Sequence, residues 1–362
     1  MKKNTQKQKT VFVGLSGGVD SSVSAHLLIE AGYNVVGVFI RTWTPDFIEC
    51  TWRDERRDAI RVAAKLGIPF LECDLEQVYK RGVADYMISE YRHGRVPNPD
   101  VMCNREVKFG GFWHFAQAHG ADYIATGHYA QNIFNKKTDL YELHTGVDTN
   151  KDQSYFLYTL TQTDLEHTLF PIGHLQKSAV RKLAEKTGLH TATKKDSQGV
   201  CFLGPLDMKS FLSEFIPKKK GDVLNEAGAV VGMHDGAVFF ALGERHGFTI
   251  TQKTATDTAQ YVVAKDIVKN TITVSSSPEQ YMKEHTPTNQ LSLHKNTWVG
   301  DVPSVGEKYH AQIRYHGTLH AVRILERNDV VVIETKEPLL VSPGQSVVLY
   351  KNTSCIGGGV VL

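Results

Sequence analysis

The sequence predicts an α/β fold built on a doubly wound parallel sheet, followed by two smaller β-rich parts. Two observations support this fold class. From Val11 onward, short apolar strands alternate with amphipathic helices, which indicates a parallel sheet because parallel neighbours need crossover connections. After about Leu206 the pattern changes to closely spaced β-rich runs, which favour a small antiparallel barrel or sandwich.

The individual elements follow from apolar spacing and from the glycines that end them. The first part is predicted to contain strands at 11–15, 34–40, 68–71 and 121–126, and helices at 22–30, 54–66, 75–91 and 109–118. The second part is predicted to contain β-runs at 237–242, 260–264, 271–274, 311–315, 321–325, 330–334 and 346–350. Ligands of a parallel sheet bind at the carboxyl ends of its strands.

The length of 362 residues allows two or three domains. The change of pattern and the polar stretch around Lys218 to Lys220 predict three. We expect an α/β domain at 1–205, a small β-rich domain at 206–280 and a β-barrel domain at 281–362.

Composition limits the classes of function. Lys plus Arg total 41 and Asp plus Glu total 39, so the net charge of +2 neither requires nor excludes a nucleic-acid partner. No apolar run reaches the roughly 18 residues of a membrane span, and the N-terminus has no apolar signal region, so we expect a cytoplasmic protein without a membrane partner. Five dispersed cysteines without a C-x-x-C pair argue against a disulfide framework and a zinc site, and no metal site is predicted.

A glycine-rich loop lies where the first strand meets the first helix. Its string SGGVDSS covers residues 16–22. Glycines allow backbone N–H groups to turn towards a phosphate, and the helix N-terminus favours an anion. The closing Gly-Lys-Ser/Thr of a Walker A loop and the G-x-G-x-x-G of a dinucleotide site are both missing. The loop therefore predicts an anion cradle of another type, although a plain glycine turn would use the same residues.

Cys103 lies just after a predicted helix start. Pro97 and Pro99 fix the approach, and Asp100 fits either a helix cap, which we favour for this residue alone, or an acid/base group. A thiol in the first turn, near Arg105 and Lys108, is expected to have a pKa below the free value of about 8.5.

A second thiol, Cys201, follows a polar segment that contains Lys194, Lys195, Ser197 and Gly199. This segment fits a reactive thiol beside cations and a buried core cysteine equally well. Cys50, Cys73 and Cys355 have no comparable surroundings and are expected to be structural, with exposure of Cys50 left open.

The ordered set of these motifs resembles one known family. The glycine loop resembles the PP-loop of ATP pyrophosphatases, which adenylate their substrates. Together with Asn98-Pro99-Asp100-x-x-Cys103, Ala125-Thr126-Gly127-His128 and Asp196-Ser197-x-Gly199-x-Cys201, it resembles the bacterial-type tRNA-specific 2-thiouridylases. Later strings, among them Arg314-Tyr315 and Pro343-Gly344-Gln345, extend the resemblance from about residue 10 to 362.

The resemblance implies ATP-dependent 2-thiolation of the wobble uridine of tRNA, with Mg²⁺ accompanying ATP and a cysteine desulfurase or sulfur-relay carrier as the sulfur donor. It implies that Cys201 carries the persulfide and that Cys103 is the nucleophile, which either frees the sulfide or forms a transient disulfide with Cys201. The implied ATP site comprises Gly14, Leu15, Ser16, Gly17, Gly18, Val19, Asp20, Ser21, Ile40 and Gly127. The implied contacts with the target base and tRNA are Asn98, Pro99, Asp100, His128, Lys151, Asp152, Gln153, Arg314, Tyr315 and Gln345.

Two positions depart from the family pattern. Ile40 stands where methionine is frequent, which keeps an apolar contact, and Glu244 replaces a usual glutamine and adds a negative charge. Two other functions stay open. One is another PP-loop adenylating ligase or tRNA-thiolating enzyme. The other is a tRNA-binding protein with a decayed nucleotide site, against which the complete loop and both thiols argue.

Overall fold

The computed structural model describes residues 8–48, 52–196, 199–203, 207–251, 258–285 and 288–362. Its N-terminal part contains the predicted parallel sheet. The five strands lie in the spatial order Phe70–Asp74, Asn34–Arg41, Thr10–Gly14, Tyr123–Ala125 and Thr168–Leu169. All four neighbouring pairs are parallel.

The strand order places a topological switch point beside the first strand. The chain first moves from Thr10–Gly14 to one side, and then returns to Tyr123–Ala125 on the other side. Connections diverge at such a point and leave a crevice outside the carboxyl ends of the strands. The loops after Gly14 and Ala125 therefore line one crevice.

The sheet is covered on both faces, as predicted for a doubly wound fold. Along Thr10–Gly14, Phe12 belongs to one apolar cluster, whereas Val11 and Val13 belong to another. Successive side chains of a strand point to opposite faces, so an apolar run of this kind fills two cores.

The predicted helices form, with shifted ends. Within the described ranges the α-helices are Val19–Glu30, Trp52–Leu66, Glu76–Tyr79, Tyr86–Arg92, Pro99–Met102, Phe112–Ala118, Gln162–Glu166, Lys177–Thr187, Met208–Ser213 and Pro278–His285. Two π-helical stretches, Lys80–Asp85 and Cys103–Gly111, join their neighbours into continuous helices. Short 3-10 helices cover Ser154–Leu157, His190–Thr193 and Ala237–Phe239.

The middle part of the chain forms a five-stranded sheet. Its strands lie in the order Phe248–Ile250, Val230–His234, Gly221–Leu224, Thr271–Ser275 and Tyr261–Asp266. The β-run predicted at 237–242 is wrong, because this segment forms a 3-10 turn and a loop. Gly236 and Gly243 flank it with φ values of 144° and 85°, which end extended pairing on both sides.

The C-terminal part forms the predicted barrel. Six strands close when Gln290–Trp298 pairs with both Val331–Thr335 and Ser354–Val361. The remaining three are Leu319–Arg327, Lys308–Gln312 and Ser346–Lys351. The predicted run at 311–315 is partly wrong, because the strand ends at Gln312 and residues 314–317 form a turn closed by the Gly317 N–H and the Arg314 carbonyl.

A hairpin from the N-terminal part joins the barrel sheet. Its strands, Ala130–Asn135 and Leu140–Thr145, pair with each other, and the second pairs with Ser354–Val361 through Leu143 and Cys355. The hairpin therefore couples the segment after the switch point to the barrel.

Candidate active site

The glycine loop leads directly into the N-terminus of the first helix. Gly17 has φ +70°, and a Cβ there would lie 2.6 Å from the carbonyl oxygen of Glu55. Gly18 is the N-cap of Val19–Glu30, and no side chain caps this end. The first N–H groups of a helix have no intrahelical partner, so this end can bind a phosphate.

Residues far apart in sequence enclose this loop. A Cβ on Gly127 would lie 2.8 Å from the Ser21 nitrogen, and a Cβ on Gly14 would lie 3.8 Å from Cδ1 of Ile40. The structure therefore brings together the loop, Ile40 and Gly127, which were predicted as one nucleotide site.

A network of charged groups lies beside the loop. The Lys177 ammonium donates to both Asp20 carboxylate oxygens, at 2.8 and 2.7 Å, and Tyr129 donates its hydroxyl to Asp20 at 2.7 Å. Lys177 also pairs with Asp196 at 2.9 Å. Asp196 in turn accepts from Lys151 and Arg181.

These cations hold Asp196 ionised. Burial raises its pKa, but the hydrogen bonds from Lys151 and Lys177 outweigh burial and lower the pKa to about 2. The network thus concentrates cations next to the phosphate loop.

The helix that begins at Pro99 carries the first thiol. The Asn98 side chain caps it by accepting from the N–H groups of Asp100 and Val101 at 3.1 and 3.2 Å. The favoured capping role of Asp100 is therefore wrong. Asp100 instead accepts from the Cys201 backbone N–H at 2.9 Å, and burial raises the pKa of its carboxyl.

The two thiols lie in contact. Cys103 and Cys201 are 98 positions apart in sequence, and their sulfur atoms are 3.4 Å apart. Both thiols are free, so no disulfide joins them here. Cys103 is completely buried, whereas Cys201 is partly exposed.

The predicted low pKa of Cys103 is wrong, and Cys201 is the thiol whose pKa is lowered. Burial, and the hydrogen bond that Cys103 donates to Cys201, raise the pKa of Cys103 well above its usual value. That same hydrogen bond is the largest cause that lowers the pKa of Cys201, to about 7, and the Lys108 ammonium lowers it further. The prediction failed because Cys103 lies beyond the first turn, inside the core.

The cations near Cys201 also differ from those that the sequence suggested. Lys194 donates to the Gly17 carbonyl oxygen at 3.0 Å and pairs with Asp58 at 2.8 Å, and Lys195 is exposed. Arg105 is exposed and pairs with Glu106. The charge beside the Cys201 sulfur comes from Lys108, which the sequence had associated with Cys103.

The Cys201 segment is held against the sheet end. Tyr79 donates its hydroxyl to the Cys201 carbonyl at 2.8 Å, and its ring meets that of Phe202 edge-on. Phe202, which has φ +66°, and Leu203 line a cavity of about 20 Å³ with Ile40 and other residues. The second thiol therefore lies next to the predicted nucleotide site. Ser197, Gln198, the predicted boundary at Leu206 and Cys50 lie outside the described residues.

Several residues predicted to contact tRNA make internal contacts. His128 is buried and lies 2.7 Å from the Thr126 hydroxyl. Asp152 accepts from the Gly146 N–H at 2.8 Å, and the Gln153 amide oxygen accepts from the Tyr129 N–H at 3.1 Å.

In the barrel, Arg314 donates to the carbonyl oxygen of Leu242 at 2.7 Å and thus links the middle part to the barrel. The Gln345 amide oxygen accepts from the Ser342 N–H at 2.8 Å. Tyr315 is 37% exposed, and its ring centroid lies 4.4 Å from that of Phe156. Tyr315 therefore offers an accessible aromatic surface.

The roles that sequence reasoning missed belong to Tyr79, Lys177 and Arg181. A local pattern gives no signal for them, because their partners Cys201, Asp20 and Asp196 lie 122, 157 and 15 positions away in sequence. Cys73 and Cys355, which were expected to be structural, are both 1% exposed. Among the described residues, no cluster of three metal-ligating side chains occurs, and no helix is long and apolar enough to cross a membrane.

Replacing Gly17 by alanine tests the loop geometry. Alanine would have to adopt the left-handed backbone conformation of Gly17, at a cost of about 1 to 2 kcal/mol. Its Cβ would also meet the carbonyl oxygen of Glu55. We expect lower stability and at least tenfold weaker ATP binding, measured by thermal unfolding and calorimetry. Gly120→Ala is the control, because Gly120 has φ +83° with nothing within 4 Å. Equal ATP binding by the two variants would contradict the assignment.

Three family models match consecutive parts of the chain. The model described as tRNA methyl transferase HUP domain matches residues 9–205. The model described as tRNA methyl transferase PRC-barrel domain matches 209–276, and that described as aminomethyltransferase beta-barrel domain matches 288–361. Among solved structures, the U34-tRNA thiolase NcsA from Methanococcus maripaludis covers 58% of this chain and 64% of its own, with 17% identity and a TM-score of 0.36, a likeness too low to bear on function.

The parallel sheet, the phosphate loop at its switch point and the facing thiols define a nucleotide-binding protein of the PP-loop class. The tRNA-specific 2-thiouridylase MnmA of Ligilactobacillus salivarius is 41% identical, over 98% of this chain and 96% of the relative. The MnmA of Bacillus licheniformis is 42% identical, over 97% of this chain and 94% of the relative. The chain belongs to the tRNA-specific 2-thiouridylase family.

Proposed function

We propose that the protein uses ATP to replace the C2 oxygen of the wobble uridine of tRNA by sulfur. The observation that carries this proposal is the 3.4 Å contact between the Cys103 and Cys201 sulfur atoms. Phe202 and Leu203, which follow Cys201, line one cavity with Ile40 of the predicted nucleotide site. A carbonyl oxygen of a base is a poor leaving group, so its replacement needs activation by ATP and a sulfur nucleophile. The glycine loop is proposed to bind the ATP that activates the oxygen, and the two thiols are proposed to supply the sulfur nucleophile.

The first step is adenylation. The uridine C2 oxygen attacks the α-phosphorus of ATP, and the bond to pyrophosphate breaks. The uncapped N–H groups after Gly18 hold phosphate oxygens, and Lys177 balances their charge. Asp20, the carboxylate within the loop, would orient the pyrophosphate portion of ATP or the Mg²⁺ that accompanies it.

The second step is sulfur transfer. The Cys201 thiolate attacks the sulfane sulfur of a donor persulfide, which releases the donor thiolate and leaves a persulfide on Cys201. The terminal sulfur attacks C2, and the C2–O bond breaks as AMP leaves. Cys103 then transfers its proton to Asp100, the proposed acid/base group, and its sulfur attacks the Cys201 sulfur, so that the S–S bond breaks and its electron pair forms the C2 thiocarbonyl. The resulting Cys103–Cys201 disulfide is reduced by an external thiol.

The target base must leave the anticodon stack to reach this site. We assign Asn98, Pro99 and Asp100 to the base, because they begin the helix that carries Cys103. Asp100 is also retained as the proposed acid/base group. Tyr315 offers an exposed ring for stacking on RNA. Further proposed tRNA contacts are His128, Lys151, Asp152, Gln153, Arg314 and Gln345.

We propose that each of the three domains has its own role. Residues 1–205 carry the chemistry, and residues 206–280 and 281–362 contact tRNA. The hairpin at 130–145 pairs with the barrel and ties the first part to the third. A cysteine desulfurase or a sulfur-relay carrier is the proposed donor. The cytoplasm is the proposed compartment, since the proposed cycle ends in a disulfide that an external thiol has to reduce.

Incorporation of radioactive sulfur into tRNA tests the function. With a desulfurase, labelled cysteine, ATP and tRNA, we expect label in tRNAs that have uridine at the wobble position. A tRNA whose wobble uridine is replaced by cytidine is the control. Label that appears without ATP, or equally in the control tRNA, would contradict the proposal. The names of two family models suggest methyl transfer as another activity. A methyl transferase would incorporate label from a radioactive methyl donor into tRNA, and no label from cysteine.

A further inference from the structure

Lys108 lies within the thiol site. Its ammonium is 3.5 Å from Nε2 of His128 and 5.8 Å from the centre of the Phe202 ring. Phe202 directly follows Cys201, so the ammonium lies close to the Cys201 segment. Its positive charge therefore acts on a sulfur atom that the proposed function makes reactive.

The π-helical winding of Cys103–Gly111 explains this position. Hydrogen bonds in a π-helix join residues five apart, so Lys108 lies one turn beyond Cys103 on the same face. In an α-helix, residues three and four apart share a face, and a residue five apart points elsewhere. The winding thus brings Lys108 to the helix face of Cys103, whose sulfur contacts that of Cys201.

Among the described residues, the other titratable groups that act on Cys201 or contact its segment do not supply a positive charge. Asp100 contributes a carboxylate, and Cys103 and Tyr79 contribute groups that are neutral or negative. His128 is kept neutral, because burial and the adjacent Lys108 lower its pKa well below the usual value. His128 can then accept a hydrogen bond from the Lys108 ammonium through Nε2, while Nδ1 faces the Thr126 hydroxyl.

We propose that Lys108 is a further catalytic residue, whose ammonium holds the Cys201 sulfur as the anion that attacks the donor persulfide. His128 positions this ammonium. The proposal builds on the proposed sulfur transfer, but the ionisation of Cys201 is measurable without tRNA, ATP or a sulfur donor.

The acidities of the two groups agree with this pairing. Burial lowers the pKa of Lys108, but the negative sulfur groups of Cys201 and Cys103 outweigh burial, so that the pKa is raised overall. Lys108 is thus charged throughout the range in which Cys201 ionises, near pH 7. Above that midpoint the site contains an ammonium–thiolate pair.

The test is the pH dependence of alkylation of Cys201 by iodoacetamide in the full-length protein, followed by mass spectrometry of the Cys201 peptide. We expect a wild-type midpoint near pH 7. In Lys108→Met the midpoint should rise by about one pH unit or more. In Lys108→Arg, which keeps the positive charge, the midpoint should stay close to the wild-type value. Thermal unfolding of each variant reports separately on any structural role.

Two outcomes would overturn the proposal. One is a folded Lys108→Met protein with an unchanged midpoint. The other is a wild-type midpoint at or above about 8.5, the pKa of a free thiol. This second outcome overturns the proposal even if the methionine variant does not fold. Failure of tRNA thiolation with a low Cys201 midpoint would instead reject the proposed function and leave the ammonium–thiolate pair standing.

Discussion

Replacing Cys201 by alanine should reduce tRNA thiolation roughly 10³-fold or more, to background, because no other side chain in the proposed mechanism accepts the donor's sulfur. ATP binding should persist, since the phosphate loop is made by a separate segment. Cys103→Ala should be equally inactive in turnover for a different reason. Its Cys201 still accepts sulfur, but the thiol that resolves the S–S bond is missing.

The two variants are distinguished by mass spectrometry after incubation with a desulfurase and cysteine. We expect a persulfide on Cys201 in Cys103→Ala and none at that position in Cys201→Ala. Cys73→Ala is the matched control, because Cys73 is also buried but lies in the sheet, on the strand Phe70–Asp74. Full thiolation by both the Cys103 and Cys201 variants, with the same donor, would show that the two-thiol mechanism is wrong.

Replacing Asp20 by alanine should lower adenylation roughly 10²-fold. The Asp20 carboxylate holds the Lys177 ammonium and the Tyr129 hydroxyl. Without this carboxylate, Lys177 keeps only its ion pair with Asp196. The ammonium is then expected to move away from the phosphates whose charge it balances. The measurement is tRNA-dependent release of AMP and pyrophosphate from ATP.

Two variants sharpen this test. Asp20→Asn keeps the shape and one acceptor oxygen, and should lose less activity than alanine. Glu30→Gln removes a charge from the exposed end of the same helix and should have no effect. Normal ATP–pyrophosphate exchange by Asp20→Ala would remove Asp20 from the site.

Much of the fold could be predicted because apolar periodicity records it locally. The predicted strand at 34–40 is observed as Asn34–Arg41, and the predicted helix at 22–30 begins three residues earlier, at Val19. The run at 237–242 was wrong because Gly236 and Gly243 adopt positive φ values on either side of it, and apolar content alone does not reveal these conformations.

The site was predictable only in part. The motifs singled out the glycine loop, Asp20, Gly127 and both thiols. The structure brings Gly127 against the loop and brings the two sulfur atoms into contact. The charged partners of the thiols were not predicted. Lys194 and Arg105 are close in sequence to Cys201 and Cys103, yet they pair with Asp58 and Glu106.

The sequence by itself determined the alternation of strands and helices, the glycine loop and the positions of the two thiols in their motifs, because these depend on residue type and short-range spacing. Only the tertiary structure decided how the two thiols differ in acidity. Acidity depends on burial and on charges in space, so the pKa of the fully buried Cys103 is raised, whereas the hydrogen bond from Cys103 and the Lys108 ammonium lower the pKa of Cys201. The π-helical winding of the segment that carries Lys108 is likewise not recorded in the apolar pattern.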